Sequence, residues 1–143
     1  MGFSHISVLP EECMEALAIR PDGIYLDGTA GGGGHSFQIA GRLTTGRLIA
    51  VDKDKEAIAA AGSRLAPFPL AQVVQGDFAD IPQILESLSL PGADGVLLDL
   101  GVSSHQLDTP ERGFAYSVDA PLDMRMSGEG PTAADLLNTA SEE

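Results

Sequence analysis

The sequence contains a single cysteine, Cys13, few basic residues and no long apolar run. One thiol cannot form an internal disulfide, so we expect a protein of the reducing cytoplasm. No stretch approaches the roughly 20 apolar residues that a membrane helix needs, and nothing near the N-terminus resembles a signal peptide. The histidines lack the spacing of zinc ligands. We therefore predict a cytoplasmic protein with no membrane partner, and we identify no metal-ligating residues in the sequence.

The scarcity of basic side chains limits the partners that this chain could bind unaided. It has 8 Lys and Arg against 21 Asp and Glu, a net charge of −13 over 143 residues. Because Lys and Arg normally supply most non-specific affinity for nucleic acid, we expect weak binding of RNA by this chain alone. A solubilising acidic surface is the simpler explanation of the charge. The length is that of one ordinary domain.

A glycine-rich turn directly follows a short apolar run. Ile24–Leu26 predicts a buried strand, the segment Asp27–Gly34 follows, and Phe37, Ala40 and Leu43 then recur at helical spacing. Glycines between a strand and a helix let backbone N–H groups approach a ligand closely. The segment therefore predicts a turn that binds a nucleotide.

Spacing separates the nucleotide folds that use such a turn. The P-loop needs a lysine where His35 stands, and the dinucleotide pattern G-x-G-x-x-G needs a third glycine where Ser36 stands. The dinucleotide pattern is damaged but remains open. Asp27, Gly31 and Gly33 fit acid-x-x-x-Gly-x-Gly without a gap, and this resembles the first motif of the S-adenosylmethionine-dependent methyltransferases.

Three more apolar runs end in an acidic residue. They are Arg47–Asp52, Ala71–Asp77 and Asp94–Asp99. Helical spacing between the runs predicts a parallel sheet, whose ligands lie beyond the carboxyl ends of the strands. The terminal acids of these runs, together with Asp27, should end their strands at that edge.

Asp52 follows the glycine turn by about 20 residues, the spacing at which an acid accepts hydrogen bonds from ribose hydroxyls. Its other role, an acid that starts the next helix, suits Asp54 better. Methyltransferases and dehydrogenases both use such an acid. Asp52 therefore predicts an adenosine cofactor without distinguishing S-adenosylmethionine from NAD.

Regular periodicity is absent between Gly101 and Gly130. The segment mixes apolar, aromatic and basic side chains, so 101–130 predicts either a lid or substrate-docking loop, or a surface loop that packs its own apolar residues. Thr132 and Asp135 then predict a capping box at the start of a last helix.

Several strings have no generic explanation in secondary structure. They are His5 with Ser7–Leu9, Asp22–Tyr25, Asp27–Thr29 with Gly33–Ser36, Leu98–Ser104, Gln106–Asp108, Arg112–Phe114 and Pro121–Met126. Together they resemble, from end to end, the bacterial 16S ribosomal RNA (cytosine-N4)-methyltransferase family. The resemblance implies an α/β fold of the Rossmann-like class I methyltransferase type, with strand order 3-2-1-4 in this chain, and 16S rRNA of the small ribosomal subunit as partner.

The same resemblance implies S-adenosyl-L-methionine as cofactor and assigns residues to it. The methionine part would be held by Gly33, Gly34 and His35 and the ribose by Asp52. Phe78 would lie against the adenine, with Asp99 and Gln106 completing the pocket. Each role is physically reasonable, since amides bind carboxylates, carboxylates accept from hydroxyls, and phenylalanine offers a flat apolar face.

Asp99 is also the candidate catalytic residue, because an acceptor for the cytosine amino hydrogens would take up developing positive charge. Many amino methyltransferases of nucleic acid carry Pro-Pro-aromatic after this acid, whereas here Leu100–Val102 follows. The aromatic residue that stacks on the base is therefore missing from its place. Phe114 or Tyr116 could substitute for it, and Arg125 completes the set of substrate-loop candidates.

The methyltransferase sheet normally has seven strands, and only the first four are found here, without the helical insert or the basic RNA-binding segments. We therefore expect residues 1–143 to be the N-terminal, cofactor-binding part of a truncated methyltransferase domain, whose fourth strand is a bare edge open to homodimerisation. A catalytically inactive cofactor-binding fragment or interaction module is the main alternative. An NAD-dependent oxidoreductase is the lesser one.

Overall fold

The computed structural model describes residues 9–141, so the string at His5 lies outside the described residues. The chain divides into two compact units, one up to Leu100 and one from Gly101 onward. The helices and strands are, in order, α1 (Pro10–Leu17), β1 (Ile24–Asp27), α2 (Gly34–Ala40), β2 (Arg47–Asp52), α3 (Lys55–Leu65), β3 (Ala71–Gln75), α4 (Ile81–Ser87), β4 (Gly95–Leu97), α5 (Ser104–Asp108) and α6 (Ala133–Thr139).

The first unit is built on a parallel sheet of four strands in the order β3-β2-β1-β4, which confirms the predicted order. In register, Leu26 of β1 pairs with Ile49 of β2 on one side and with Val96 of β4 on the other. The connection from β3 to β4 passes over β2 and β1, so the strand order reverses between β1 and β4. In open α/β sheets, ligands bind at such a reversal, beyond the carboxyl ends of the strands.

Alternating side chains on β1 and β2 build a core on both faces of the sheet. Tyr25 and Leu48 pack on the face that also holds buried residues of α1, α2 and α3, whereas Leu26 and Ile49 pack on the face that α4 covers through Ile84. Burying a side chain of this size stabilises the fold by roughly 1.5–3 kcal/mol. The two central strands therefore carry continuous apolar runs, as buried parallel strands do.

Two strands end earlier than the sequence indicates, which corrects part of the predicted edge. Asp27 and Asp52 end β1 and β2, but β3 ends at Gln75 and β4 ends at Leu97. Asp77 instead caps a 3₁₀ turn over Phe78–Asp80. The amide of Asp99 donates to Thr29 Oγ1 at 2.6 Å. After β4 the backbone therefore bonds a side chain and not a neighbouring strand.

The prediction that 101–130 lacks regular structure is wrong in part. Helix α5 begins there with a capping box. The Ser103 side chain accepts from the amide of Gln106, and the Gln106 side chain accepts from the amide of Ser103. A 3₁₀ turn over Pro110–Arg112 follows. These elements are too short to show a hydrophobic period. Helix α1 was also missed, although Pro10 and two acids in its first turn are typical of a helix start.

Other sequence predictions of helix termini are confirmed. Asp54 is the N-cap of α3 and accepts from the amide of Glu56. Thr132 caps α6 in the predicted capping box with Asp135. Within residues 9–141, no helix is long and apolar enough to cross a membrane.

The second unit is held together by polar contacts to backbone. The Arg112 guanidinium donates to the carbonyls of Arg125 and Met126, and the amide of Met124 donates to the carbonyl of Arg112. Gly113 has φ +71, and a Cβ placed there would lie 2.3 Å from the carbonyl oxygen of Pro121. The loop is therefore an ordered structure closed around one arginine.

Candidate functional site

The glycine turn between β1 and α2 is organised by a buried carboxylate. Asp27 is completely buried, and its two oxygens accept from the amide of Thr29 at 3.1 Å and from Ser36 Oγ at 2.7 Å. Burial raises the pKa of Asp27, and these hydrogen bonds counteract the rise. Asp27, the acid of the first motif, therefore stabilises the turn, and each of its oxygens already accepts a hydrogen bond from the protein.

The turn leaves backbone donors without acceptors. The amide of Gly33 bonds the carbonyl of Ala30 at 2.8 Å, whereas no described residue accepts a hydrogen bond from the amides of Gly32, Gly34 or His35. Gly33 has φ +82, and a Cβ placed there would lie 3.2 Å from Ala61 Cα. Helix α3 thus packs so closely against the turn that only glycine fits without strain.

Asp52 lies beside this turn. Its Oδ2 accepts from the amide of Gly31 and its Oδ1 from the amide of Asp54, each at 2.9 Å. Each carboxylate oxygen has a second lone pair, so both can still accept a hydroxyl. Two backbone bonds fix the plane of the carboxylate, and a partly buried acid with a fixed plane suits a vicinal diol.

Phe78 is held at the end of the neighbouring strand β3. It begins the 3₁₀ turn capped by Asp77 and remains 39% exposed. Lys53 Nζ lies 2.8 Å from Asp77 Oδ2 and 5.7 Å from the centre of the Phe78 ring. Backbone and side-chain hydrogen bonds from Ala79 and Lys53 lower the pKa of Asp77. Lys53 is a site feature that the sequence prediction missed, because nothing in the sequence places residue 53 near residue 78.

Asp99 and His35 come together across the reversal in strand order. His35 is 4% exposed, and within residues 9–141 neither ring nitrogen has a hydrogen-bond partner. Its Nε2 lies 3.6 Å from Asp99 Oδ2. Thr29 binds the backbone of Asp99, as described above, and this link between the glycine turn and β4 was also missed in the sequence.

The first unit therefore brings together the glycines at 33 and 34, His35, Asp52, Phe78 and Asp99 around the carboxyl ends of its strands. The remaining predicted residues belong to the second unit. There Gln106 is buried at the start of α5, Tyr116 is fully exposed, and Arg112 lies 5.8 Å from the centre of the Phe114 ring. Arg125 is held in a two-point pair with Asp123 at 2.8 Å and so is less available to a phosphate than the sequence indicates.

A separate cleft of about 500 Å³ lies between α1 and the C-terminal end of α2. Glu11, Glu15 and Arg42 line it with Met14 and Ile19, and it contains none of the predicted site residues. The glycine turn lies at the opposite, N-terminal end of α2. The described residues include no group of three or more His, Cys, Asp or Glu side chains placed to hold a metal ion.

The side chains around the glycine turn fit an adenosine cofactor with a charged amino-acid end. Within residues 9–141, the amides of Gly32, Gly34 and His35 and the buried His35 ring have no hydrogen-bond partner, and a Cβ at position 33 would press tightly against α3. Unpaired buried polar groups are rare in folded proteins unless a ligand or water satisfies them. Amides and carboxylates at one sheet edge can hold such a molecule at both of its ends.

The fold and the glycine turn define a class, the Rossmann-like class I methyltransferases. The C-terminal domain of precorrin-6Y C5,15-methyltransferase from Rhodobacter capsulatus matches with a TM-score of 0.55 and 23% identity, over 74% of this chain and 58% of that chain. NSun6 from Pyrococcus horikoshii, solved with SFG, matches with a TM-score of 0.52 and 27% identity, over 66% of this chain and 24% of that chain.

Sequence comparison gives the family. The profile of the MraW methylase family matches residues 2–143, and the chain belongs to this family. Ribosomal RNA small subunit methyltransferase H 2 of Agathobacter rectalis is 56% identical over 99% of this chain and 46% of its own length. Ribosomal RNA small subunit methyltransferase H of Symbiobacterium thermophilum is 53% identical over 100% of this chain and 46% of its own length. The chain thus spans about half the length of these relatives.

Proposed function

We propose that this chain is the cofactor-binding part of a cytoplasmic S-adenosylmethionine-dependent methyltransferase whose substrate is the N4 amino group of a cytosine in small-subunit ribosomal RNA. One observation carries the cofactor assignment: the unpaired amides of the glycine turn lie beside Asp52, whose carboxylate is already bound to Gly31. Family membership supports methyl transfer and ribosomal RNA of the small subunit, because the relatives are named for both; the cytosine N4 position rests on the resemblance described above.

The residues of the first unit have separate tasks in this proposal. The amides of Gly34 and His35 donate to the carboxylate of the methionine end, and Asp52 accepts from the ribose hydroxyls. Phe78 offers an apolar face to the adenine. S-Adenosylmethionine, when bound, supplies a methyl group on a positively charged sulfur. The task of the protein is to hold that methyl group in line with the attacking nitrogen.

Asp99 is the proposed acceptor for the cytosine amino group. The lone pair of that nitrogen is delocalised into the ring, so a carboxylate that bonds its hydrogens localises the pair and stabilises the positive charge that develops. No described residue donates a hydrogen bond to the carboxylate of Asp99, whose side chain is 29% exposed. The backbone carbonyl of Leu100 is a second candidate acceptor.

Calorimetric titration of the 143-residue chain tests the cofactor assignment. S-Adenosylmethionine should bind and NAD should not, and Asp52→Ala should abolish binding. Asp22→Ala is the matched control, since Asp22 is an exposed aspartate before β1, at the opposite end of the strands. Binding of NAD in place of S-adenosylmethionine would favour the oxidoreductase alternative and overturn the proposal.

Methyl transfer is tested on small ribosomal subunits that lack the modification. If the chain methylates them, Phe114→Ala should lower turnover while cofactor binding persists, because Phe114 is the proposed base-stacking residue. Unchanged turnover would exclude that role. Cofactor binding without any transfer would instead support the alternative of a binding module.

The edge strand bears on the oligomeric state. Among the described strands β4 pairs with β1 alone, and Val96 and Leu98 remain 47% and 45% exposed. Exposed apolar residues at an edge strand favour association. Homodimerisation of the 143-residue chain is accordingly part of the proposal, and light scattering that gave a monomer at all concentrations would exclude it.

A further inference from the structure

We propose that His35 is a positioning residue whose ring N–H orients the Asp99 carboxylate toward the bound cofactor and substrate. This inference rests on the proposed function. It differs from the role implied by family resemblance, in which residue 35 contacts the methionine part of the cofactor, because here the His35 side chain acts through Asp99.

The burial of the His35 ring is the first step of the argument. The side chain is 5% exposed, and both ring nitrogens are buried without a hydrogen-bond partner within residues 9–141. A neutral imidazole has one N–H donor and one acceptor, and leaving either unmet in the interior is costly. Buried polar groups without a partner are rare in folded proteins, and a role at a functional site is one explanation for them.

Two carboxylates lie near the ring, and one of them is already occupied. His35 interacts electrostatically with Asp27, but the Asp27 oxygens accept from Thr29 and Ser36. Asp99 Oδ2 is 3.6 Å from His35 Nε2 and accepts no hydrogen bond from any described residue. Asp99 is therefore the carboxylate that remains available to the ring.

The distance itself suggests an adjustable contact. At 3.6 Å the two atoms lie beyond the 2.7–3.2 Å typical of N–H···O bonds, so a movement of well under about 1 Å would close the bond. The Asp99 backbone is held by Thr29, which leaves its side-chain torsions to make this adjustment. Catalytic hydrogen bonds are often long without ligand and tighten when one binds.

Substitutions at position 35 separate the two ring nitrogens. Glutamine places an amide nitrogen close to the position of Nε2, whereas asparagine reaches only that of Nδ1. In calorimetric titration of the full chain with S-adenosylmethionine, we expect His35→Leu and His35→Asn to raise Kd about tenfold or more, and His35→Gln to stay within about threefold of wild type. Equal affinity of wild type and the leucine variant would overturn the inference.

A double-mutant cycle tests whether the effect passes through Asp99. In the Asp99→Asn background, His35→Leu should cause no further loss of affinity. The same tenfold loss in both backgrounds would show that residue 35 acts independently of Asp99 and would overturn the proposal. Nitrogen-15 NMR of the wild-type ring gives a readout that needs no variant, so misfolding of a variant does not prevent the test.

The NMR experiment should find a proton on His35 Nε2, with that signal perturbed when S-adenosylmethionine is added. A ring protonated at Nδ1 would contradict the inference. If the wild-type chain binds no S-adenosylmethionine, the proposed function fails together with the inference. If the wild type binds and the leucine variant binds equally well, the inference alone fails.

Discussion

A pair of glycine-to-alanine substitutions tests the geometry of the glycine turn. Gly33 has φ +82, in the left-handed region, whereas Gly62 lies inside α3 with open space around a built Cβ. Gly33 packs against Ala61, the residue before Gly62, so the two sites are close neighbours. The same chemical change should therefore act in opposite directions within one small region.

The magnitudes follow from backbone and packing terms. Holding alanine in the left-handed region costs roughly 1–2 kcal/mol. The new Cβ of Gly33→Ala would lie 3.2 Å from Ala61 Cα, which forces α3 to shift and adds about 1 kcal/mol. Gly62→Ala should instead stabilise the chain by about 0.5–1 kcal/mol, because glycine is unfavourable in a helix interior.

Thermal and urea unfolding measure both effects. For a chain of this size, 1 kcal/mol corresponds to roughly 3–5 °C in Tm. We expect Gly33→Ala to lower Tm by about 10 °C and Gly62→Ala to raise it by about 3 °C. A Gly33→Ala variant as stable as wild type would refute the close packing of the turn on α3. Destabilisation by Gly62→Ala would refute the open space at that position.

Three further predictions concern buried and paired carboxylates. Ser36→Ala removes the donor to the buried Asp27 carboxylate and should lower the free energy of unfolding by roughly 1.5–3 kcal/mol in urea denaturation; an unchanged midpoint would exclude that bond. Burial raises the pKa of Asp27 above its ordinary value of 3.8. Between that value and the raised pKa, the folded chain binds more protons than the unfolded chain, so this contribution to stability falls as pH rises. Stability relative to Asp27→Asn should therefore improve for wild type as the pH is lowered from neutral toward the ordinary pKa of 3.8; a difference independent of pH would contradict it. Hydrogen bonds from Arg125 lower the pKa of Asp123 to about 2, so carboxyl NMR should show its charge persisting as pH falls to about that value, and Arg125→Ala should move the midpoint upward; a wild-type midpoint near 3.8 would disprove the pairing.

Much of the first unit could be predicted from sequence because its signals are local. Apolar runs of strand length, glycines after the first run and Asp54 before α3 each act through neighbouring residues. The strand order came with family resemblance and agrees with the structure. The strand ends at β3 and β4 were less accurate. After β3, Asp77 caps a 3₁₀ turn, and after β4 the backbone bonds the distant Thr29.

Short capped elements show where sequence periodicity fails. Helix α5 has five residues, fewer than two turns, so no apolar face can repeat within it. Its capping box, Ser103 with Gln106, was the available signal. The role of Arg112 in ordering the second unit could not be predicted either. Its guanidinium bonds backbone carbonyls, and every residue has one.

The sequence by itself determined the α/β architecture, the glycine turn and the acids at 27 and 52, because strand periodicity, glycine conformational freedom and spacing along the chain are local properties. Only the tertiary structure decided what those residues do. In the tertiary structure the Asp27 carboxylate accepts from Ser36, the Asp52 carboxylate can still accept further hydrogen bonds, and His35 lies 3.6 Å from Asp99. Residues 35 and 99 are far apart in the chain, and they meet because the strand order reverses between β1 and β4.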